Sequence, residues 1–267
     1  MAFFRYPGGK SKTKDDIIRR IIDTSDKKTS EYRDPFFGSG TIGIDYLMFN
    51  TDIYTVWLND KDFGISCLWT SVIKEPNQLK NLVMAYKPTV KSFKRFRYDL
   101  LHPDEDKPVD KVMTAFQKLV IHQVTQGGYG TKKKVPIGGL LQNRKEKITA
   151  RWCPSMLCKN IDRLYKRFSK LDVKNRECTN LDFEEVIINY RDRMIIYLDP
   201  PDFTRGNKMY QQGFTKEDHV RLANILKGLK SKWVLSYDNC PEIRELYSGC
   251  KIETLGDEKT QELLIRP

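Results

Sequence analysis

Two spacings of apolar residues alternate along the N-terminal part of the chain. Residues 12–24 carry the isoleucine pairs 17–18 and 21–22, which recur at the i, i+4 interval of an amphipathic helix. Residues 32–49 predict a short strand, a glycine turn and then a helix. Residues 52–60 alternate and end in an acid, as a second strand would. This part of the chain is therefore predicted to be α/β.

Helical spacing dominates the middle of the chain, and strands return after it. Three central segments have a helical period: 71–86, 109–126 and 156–171. Residues 126–139, with glycines at both ends and three lysines between them, predict a mobile loop or a hairpin. Towards the C-terminus the pattern predicts a helix end, a strand, a helix and a strand, over 185–190, 194–199, 215–230 and 232–239. This alternation favours a mostly parallel, doubly wound sheet, from which the helical middle is an excursion.

Composition narrows the class of protein. A chain of 267 residues can bury a substantial core. We expect no transmembrane helix, because no apolar run reaches 18 residues, and no signal peptide, because the first residues lack its apolar stretch. The six cysteines show neither a disulfide framework nor the spacing of a zinc site, so reduced thiols in a cytosolic protein and no metal are expected.

The positive charge is concentrated in the middle of the chain. The net charge is +12, and residues 86–176 alone hold 22 Lys and Arg against 8 Asp and Glu, a balance of +14. Such a local excess is typical of a polyanion-binding surface, because each cation near a phosphate releases a condensed counterion. We therefore favour nucleic acid as a partner over a merely solubilising surface.

Three of the predicted strands end in a carboxylate. Asp34 precedes the turn FFGSG, Asp60 ends the second strand, and Asp199 ends the strand after the basic middle. In open α/β sheets ligands bind beyond the carboxyl ends of the strands, and Gly38 and Gly40 let the backbone approach a ligand closely. The turn lacks the G-x-G-x-x-G phosphate fingerprint, so a nucleoside ligand without a pyrophosphate fits better. Asp60 would accept hydrogen bonds from its ribose.

Asp199 is followed by two prolines, Pro200 and Pro201. They remove two backbone donors and fix two φ angles, so the carbonyls at the strand end lack a strand partner. Asp199 and the Pro200 carbonyl can together accept both hydrogens of an exocyclic amino group. This arrangement orients the nitrogen lone pair and stabilises the charge that develops as nitrogen attacks an electrophile. The alternative is a strand stop with a solvated acid.

The chain resembles a known family in five elements that follow one another in order. They are RYPGGK (5–10), DPFFGSG (34–40), ND (59–60), NLDFEE (180–185) and the stretch from DPPDF at 199–203 through WVLSYDN at 233–239. These motifs resemble those of the Dam-type DNA adenine-N6 methyltransferases (D12 class, alpha group), which use S-adenosylmethionine. The resemblance implies a Rossmann-like methyltransferase sheet with a mostly helical, basic target-recognition insertion.

The resemblance also implies domains and residue roles. Residues 1–60 and 177–267 would form the catalytic domain, and 61–176 the recognition insertion. Cofactor contacts are implied for Tyr6, Gly9, Lys10, Asp34, Phe36, Gly38, Gly40, Asp60, Asp182 and Phe183. Catalytic roles are implied for Asp199, Pro200, Pro201 and the position of Asp202. DNA contacts are implied for Lys132, Lys133 and Lys134 on phosphates, Tyr129 as a wedge or stacking ring, and Arg95, Arg97 and Arg144 as candidate base readers, with solvated surface charge as the alternative.

Asp202 departs from the family pattern, which has an aromatic residue after D-P-P. By resemblance, that ring would stack on an adenine flipped out of the duplex, a contact that contributes about 1–3 kcal/mol. Three interpretations stay open. Asp202 weakens or abolishes activity, Phe203 supplies the ring after a shift of the turn, or the flipped group differs from adenine. We favour the first, because Asp199, Pro200 and Pro201 are kept around it.

The reaction that follows is methyl transfer from S-adenosylmethionine to N6 of a flipped adenine in duplex DNA. The alternatives are a catalytically silent protein that binds DNA and cofactor, and a cytosine-N4 methyltransferase. RNA remains compatible with the charge. The resemblance allows for a cognate restriction endonuclease as a partner, and we expect a cytoplasmic protein encoded by a bacterium or a phage, without membrane attachment.

Overall fold

A seven-stranded sheet forms the centre of the protein. The computed structural model describes residues 3–4, 6, 10, 12–104, 106, 108–204, 213–256 and 261–267. The strands are β1 (Glu31–Asp34), β2 (Thr55–Asn59), β3 (Asp172–Thr179), β4 (Met194–Leu198), β5 (Lys232–Asp238), β6 (Lys251–Leu255) and β7 (Glu262–Arg266). Their order across the sheet is β3-β2-β1-β4-β5-β7-β6.

Helices connect most of these strands. They are α1 (Lys14–Thr24), α2 (Thr41–Phe49), α3 (Phe63–Lys74), α4 (Pro76–Met84), α5 (Val90–Leu101), α6 (Lys111–Val124), α7 (Pro154–Phe168), α8 (Phe183–Ile188), α9 (Lys216–Gly228) and α10 (Pro241–Leu246). Short 3-10 turns occur at Gln126–Gly128, Gly130–Lys132 and Ile148–Arg151. Within the described ranges, none of the helices has the length and apolar character needed to cross a bilayer.

The strand directions make the sheet doubly wound, as predicted. Strands β1 to β5 pair in parallel, whereas β7 runs antiparallel to both β5 and β6. The chain starts at β1 in the middle, moves out to β3, and returns to β4 on the other side of β1. The order therefore reverses between β1 and β4, and a crevice is expected outside the carboxyl ends of these two strands.

Two hydrophobic cores cover the two faces of the sheet. Alternate strand residues such as Tyr32, Val56 and Ile195 face helices α1 to α7. The intervening residues, such as Ile196 and Leu235, face α8, α9 and α10. Because side chains alternate across a strand, strands buried on both faces appear as nearly continuous apolar runs, as in 194–198.

The amphipathic helices follow from the spacing of their apolar residues. Ile17 and Ile21 of α1 are both buried, one turn apart. In α7 the buried residues recur at the same kind of interval, at Leu157, Ile161, Leu164 and Phe168. Thr215 and Asp218 form a capping box at the start of α9.

Three local predictions need correction. The helix predicted over 71–86 is two helices, because Pro76 begins a new one at its N1 position. Residues 126–139 contain no strand and so no hairpin; they form the two 3-10 turns and further turns. Strand β3 was missed because its sequence, DVKNRECT, has little apolar alternation.

The basic middle of the chain is mostly helical, as predicted, but it is not separate from the sheet. Helix α3 packs against β3, and α4 to α7 belong to the same core as the strands. The predicted domain boundary after residue 176 falls inside β3. We propose that the recognition insertion comprises the chain between α3 and β3, residues 75–171.

Candidate active site

A cavity lies above the carboxyl ends of β1, β2 and β4, where the strand order reverses. The residues named from the sequence that line it are Tyr6, Lys10, Asp34, Phe36, Gly38, Gly40, Asp60, Asp182, Phe183, Asp199 and Pro201. Pro200 is buried beside it, and Asp202 is half-buried one residue further along. Gly9 falls outside the described residues. The three strand-end carboxylates thus share one crevice.

The turn between β1 and α2 depends on glycine at two positions. Gly38 and Gly40 have φ angles of 47° and 67°, in the left-handed region that favours glycine. A Cβ on Gly40 would lie 2.8 Å from Ile44 Cδ1 and 2.9 Å from Phe37 Cζ, so these side chains would have to shift to admit it. Gly38 N donates to Asp60 Oδ2 at 2.7 Å, and Trp69 Nε1 donates to Gly38 O at 2.8 Å. The loop is therefore held from both sides.

Asp60 is a buried carboxylate tied to the backbone. Its two oxygens accept hydrogen bonds from Gly38 N and, at 2.8 Å, from Asp62 N. Burial, with the neighbouring charge of Asp62, raises the pKa of Asp60 to about 7 against the opposing effect of these amides. Because a carboxylate offers about four lone-pair sites, Asp60 keeps the capacity to accept a further hydrogen bond from a ligand.

Asp62 is paired with Lys118 of α6. Lys118 Nζ lies 2.5 Å from Asp62 Oδ2, and both side chains are largely buried. Asp62 also caps α3 through Oδ1, which accepts from Ile65 N at 3.2 Å. Burial alone would raise the pKa of Asp62, but the Lys118 ammonium outweighs it and lowers the pKa below its usual value.

Asp199 belongs to a cluster of two partly buried acids and one buried base. Lys10 Nζ lies 3.1 Å from Asp199 Oδ1 and also contacts Glu262 Oε1 in a salt bridge. Ser236 Oγ donates to the same Asp199 oxygen at 3.1 Å. Elements from the two ends of the chain and from the centre of the sheet therefore meet at this carboxylate.

The charges of this cluster perturb one another. Burial works against the charge of Lys10, but three carboxylates outweigh it and raise the pKa of the ammonium; they belong to Asp199, Glu262 and Asp202. One ammonium cannot neutralise two buried acids. Burial accordingly raises the pKa of Asp199, although Lys10 and Ser236 oppose the shift. It also raises the pKa of Glu262 to about 7.

Three phenylalanines form the apolar wall of the cavity. Phe36, Phe183 and Phe214 have ring centroids 5.4–5.7 Å apart in each pair. Arg221 lies over the Phe183 ring at 4.3 Å and forms ion pairs with the acids around it: Asp182, Glu184 and Asp218. This wall suits a flat, apolar ring with a polar edge.

The turn after the two prolines is anchored by Asp238 at the end of β5. Its carboxylate accepts from Phe203 N at 2.8 Å and from Thr204 Oγ1 at 2.7 Å. The Phe203 ring packs 4.8 Å from His219 and belongs to the second hydrophobic core. The backbone and the ring of Phe203 are thus both fixed.

The residues predicted to contact DNA lie on α5 and in the segment after α6. Lys132, Lys133, Lys134, Arg95 and Arg144 are exposed. Lys133 Nζ lies 4.8 Å from the Tyr129 ring. Arg97 Nε donates to Thr131 O at 2.9 Å, so this arginine ties α5 to the segment.

Several residues of the site were not found from the sequence. These are Asp62, Lys118, Ser236, Asp238 and Glu262, of which Ser236 and Asp238 lie in the family element at 233–239 but were not singled out. Ser236 and Asp238 lie in the predicted strand 232–239, so the strand-end argument used for Asp199 would have found them. Lys118 and Glu262 had no such signal, because their partners are 56 and 252 positions away.

Comparisons with known proteins identify the family of the chain. Residues 6–261 match the family model described as D12 class N6 adenine-specific DNA methyltransferase. The type II methyltransferase M1.LlaDCHI of Lactococcus lactis subsp. cremoris is 24% identical over 269 residues, which cover 97% of this chain and 88% of that protein. The type II methyltransferase M.CviBI of Paramecium bursaria Chlorella virus NC1A is 32% identical over 95 residues, 32% of this chain and 36% of that protein. The family match includes strands β1 to β6 and the helices between them, and it ends directly before β7.

Proposed function

Because the chain belongs to the D12 class of N6 adenine-specific DNA methyltransferases, we propose that it acts on an adenine flipped out of duplex DNA and methylates N6 with S-adenosylmethionine. One observation carries the proposal: Asp199, held by Lys10 and Ser236, stands at the end of β4 beside a cavity suited to a nucleoside. A partly buried carboxylate at this place is suited to hold an amino group.

The residues of the cavity fit the cofactor in three respects. The wall of Phe36, Phe183 and Phe214 suits an adenine ring. Asp60 has lone pairs left for ribose hydroxyls. The buried cluster of Lys10, Asp199 and Glu262 carries a net charge of −1 when all three are ionised, which complements a sulfonium. When bound, the cofactor would supply an activated methyl group.

The chain's own contribution is to hold and deprotonate the amino group. In the proposed complex, Asp199 would accept one N6 hydrogen and the Pro200 carbonyl the other, which would orient the nitrogen lone pair. Methylation would leave the nitrogen with one proton to lose, and Asp199 is placed to accept it. The pKa of Asp199 is raised by burial, which makes it a better acceptor for that proton.

Asp202 leaves the site without the aromatic ring of the family pattern. We infer that Phe203 does not replace it, because its N–H is bonded to Asp238 and its ring packs on His219. An aspartate offers no π face, and its charge lies close enough to raise the pKa of Lys10 and Glu262. We propose that Asp202 weakens activity. The second candidate is a catalytically silent protein that binds DNA and cofactor. Asp202 also favours this candidate, because the ring of the family pattern is missing.

The partners follow from the same proposal. The basic residues of the recognition insertion would contact the phosphates, with Tyr129 beside the flipped base or its gap. The similarity to type II methyltransferases supports a role in restriction and modification, with a cognate endonuclease of the same recognition sequence. The reaction would take place on cytoplasmic DNA of a bacterium or a phage.

The test is tritiated methyl transfer to unmethylated duplex DNA by this chain, Asp202→Tyr and Asp202→Asn. We expect Asp202→Tyr to raise the rate by about one to two decades, the equivalent of one base stack. Asp202→Asn removes the charge without adding a ring, so it should raise the rate by less than Asp202→Tyr does. Asp199→Ala serves as the inactive control.

Product analysis decides between the candidates. N6-methyladenine produced by Asp202→Tyr supports the proposal. If Asp202→Tyr produces it and the unaltered chain does not, the unaltered chain is the silent protein. If neither chain methylates DNA although both bind the cofactor, the assigned substrate is wrong.

A further inference from the structure

Helix α6 carries two buried polar side chains on the face that meets the cavity. Lys118 and His122 are one turn apart and are 2% and 3% exposed. Lys118 binds Asp62, as described above. The His122 ring stacks on Tyr6, with centroids 5.3 Å apart and an angle of 23° between the planes. One helix of the recognition insertion thus contacts two residues that line the cavity.

These two contacts converge on Gly38 of the β1–α2 turn. Asp62 N donates to Asp60, whose other oxygen accepts from Gly38 N. On the other side, Tyr6 lies against Gly38 so closely that a Cβ there would be 3.2 Å from Tyr6 Cε1. A displacement of α6 would therefore shift the contacts on both sides of the turn, because closely packed cores transmit strain.

His122 also holds the segment that carries the predicted DNA contacts. Its Nδ1 lies 2.7 Å from Gly128 O, and because a carbonyl only accepts, Nδ1 is the donor. Gly130 packs against the neighbouring part of the ring, where a Cβ would lie 2.8 Å from His122 Cε1 and 2.9 Å from Nε2. Thr125 adds a third tie, since its hydroxyl accepts from Gly130 N at 3.1 Å. Lys132 to Lys134 follow directly in the sequence.

We propose that His122 is a positioning residue that couples DNA binding to cofactor binding, by fixing Tyr6 on one side of its ring and the backbone of Gly128 and Gly130 on the other. The proposal rests on the proposed function. Phosphates that draw in Lys132 to Lys134 would fix Gly128 and Gly130, which would fix the His122 ring and so the position of Tyr6 at the cavity. The coupling must be reciprocal: the cofactor strengthens DNA binding by the factor by which DNA strengthens cofactor binding.

The experiment measures this factor by calorimetry, without turnover. The probes are S-adenosylhomocysteine and sheared unmethylated DNA, each titrated with and without the other. We expect a coupling factor of about fivefold or more for this chain. His122→Asn keeps a donor for Gly128 O but loses the ring against Tyr6, so it should weaken cofactor binding when DNA is present. His122→Phe keeps a ring but loses the donor, so it should weaken DNA binding. Both should reduce the coupling to less than about twofold.

A second histidine stacked on a tyrosine gives a matched control. His102 lies on Tyr98 with centroids 4.4 Å apart, exposed at the end of α5. His102→Asn and His102→Phe should leave the coupling unchanged, and thermal unfolding checks that every variant is folded. If both His122 variants are unfolded, Tyr6→Leu tests the same contact from the other side.

The outcomes separate the two proposals. Coupling that survives both His122 changes, coupling lost equally in the His102 variants, or two ligands that bind this chain without coupling would each overturn the role of His122 and leave the proposed function standing. A chain that binds neither probe would overturn both.

Discussion

Gly43, in the first turn of α2, has no room for a side chain. A Cβ there would lie 2.8 Å from Phe37 Cε2 and 2.9 Å from Tyr32 Oη. We predict that Gly43→Ala lowers the free energy of unfolding by about 1–3 kcal/mol, because these rings are themselves buried and cannot yield freely. Gly228→Ala is the control, since nothing lies within 4 Å of its added carbon. It should be neutral or stabilising by up to about 1 kcal/mol. Urea unfolding measures both, and equal losses would contradict the argument.

Glu262 should make stability depend on pH. Burial raises its pKa from 4.5 to about 7 in the folded chain. Between these values the folded chain holds a proton that the unfolded chain has lost, so the free energy of unfolding falls as pH rises through this window. The Gln side chain in Glu262→Gln cannot ionise, so the free energy of unfolding of this variant should fall less steeply with pH. Part of the pH dependence should remain, because the pKa of Asp60 is also about 7.

Urea unfolding from about pH 5 to about pH 8 tests this prediction. Glu245→Gln, on the exposed surface of α10, is the control and should keep the slope of the unaltered chain. A slope that Glu262→Gln leaves unchanged would show that this carboxyl is not protonated in the folded chain at pH 5–7.

At the scale of single residues, the sequence was informative where chemistry coincides with a strand end. Asp34, Asp60 and Asp199 each lie at the end of a strand predicted from the sequence, and the structure places all three beside one cavity. Their roles remain proposals. Glu262 was not predictable in the same way, because its importance comes from Lys10, which is brought to it only by the folded sheet.

At the scale of elements, two helices begin with aspartate caps that differ in their surroundings. Asp62 caps α3 and neutralises the buried Lys118, whereas Asp110 caps α6 through Met113 N at 2.9 Å on an exposed surface. We predict that Asp62→Ala loses about 3–5 kcal/mol of stability, because it leaves a buried ammonium unpaired. Asp110→Ala should lose only about 1 kcal/mol, the value of a cap.

Thermal or urea unfolding of the two variants and of Asp62→Ala/Lys118→Met measures the difference. The double variant removes the unpaired charge and should recover part of the stability. Similar losses for the two single variants would mean that the ion pair contributes little beyond the cap.

Elements with a strong apolar period were predictable, and polar or interrupted ones were not. Helix α7 repeats buried residues every turn, and β4 is apolar throughout. In β3, by contrast, exposed and half-buried polar residues fill the middle of an edge strand. Its pairing with β2, and not an apolar pattern in its sequence, makes this segment a strand. The boundary between α3 and α4 is marked in the sequence by Pro76, but the helical period on both sides of this proline predicted one continuous helix.

At the scale of the whole molecule, the uneven charge predicts a strong dependence of DNA binding on salt. If Lys132, Lys133 and Lys134 each neutralise a phosphate, replacing all three by Gln should reduce the slope of log K against log salt by about 2.7 for B-DNA. Lys27, Lys28 and Lys251 are also exposed, outside the basic segment. Their replacement by Gln should change the slope by much less than one. Titrations at several salt concentrations measure both, and equal slopes would exclude the predicted interface.

The fold class followed from the sequence, but the order of its strands did not. Alternating strands and helices predict a doubly wound sheet, since parallel neighbours need helical crossovers. The antiparallel pair β6 and β7 and the packing of the insertion on the sheet depend on contacts between residues far apart in the chain. No local pattern records these contacts.

The contact between Lys10 and Glu262 also sets an order of events during synthesis. The two residues are 252 positions apart, and β7, which carries Glu262, is inserted between β5 and β6. Synthesis proceeds from the N-terminus, and a domain generally folds as a unit. Lys10 and Asp199 are therefore made before Glu262, the second carboxylate that pairs with Lys10. A chain that lacks β7 would hold Lys10 and Asp199 without this third member of the cluster.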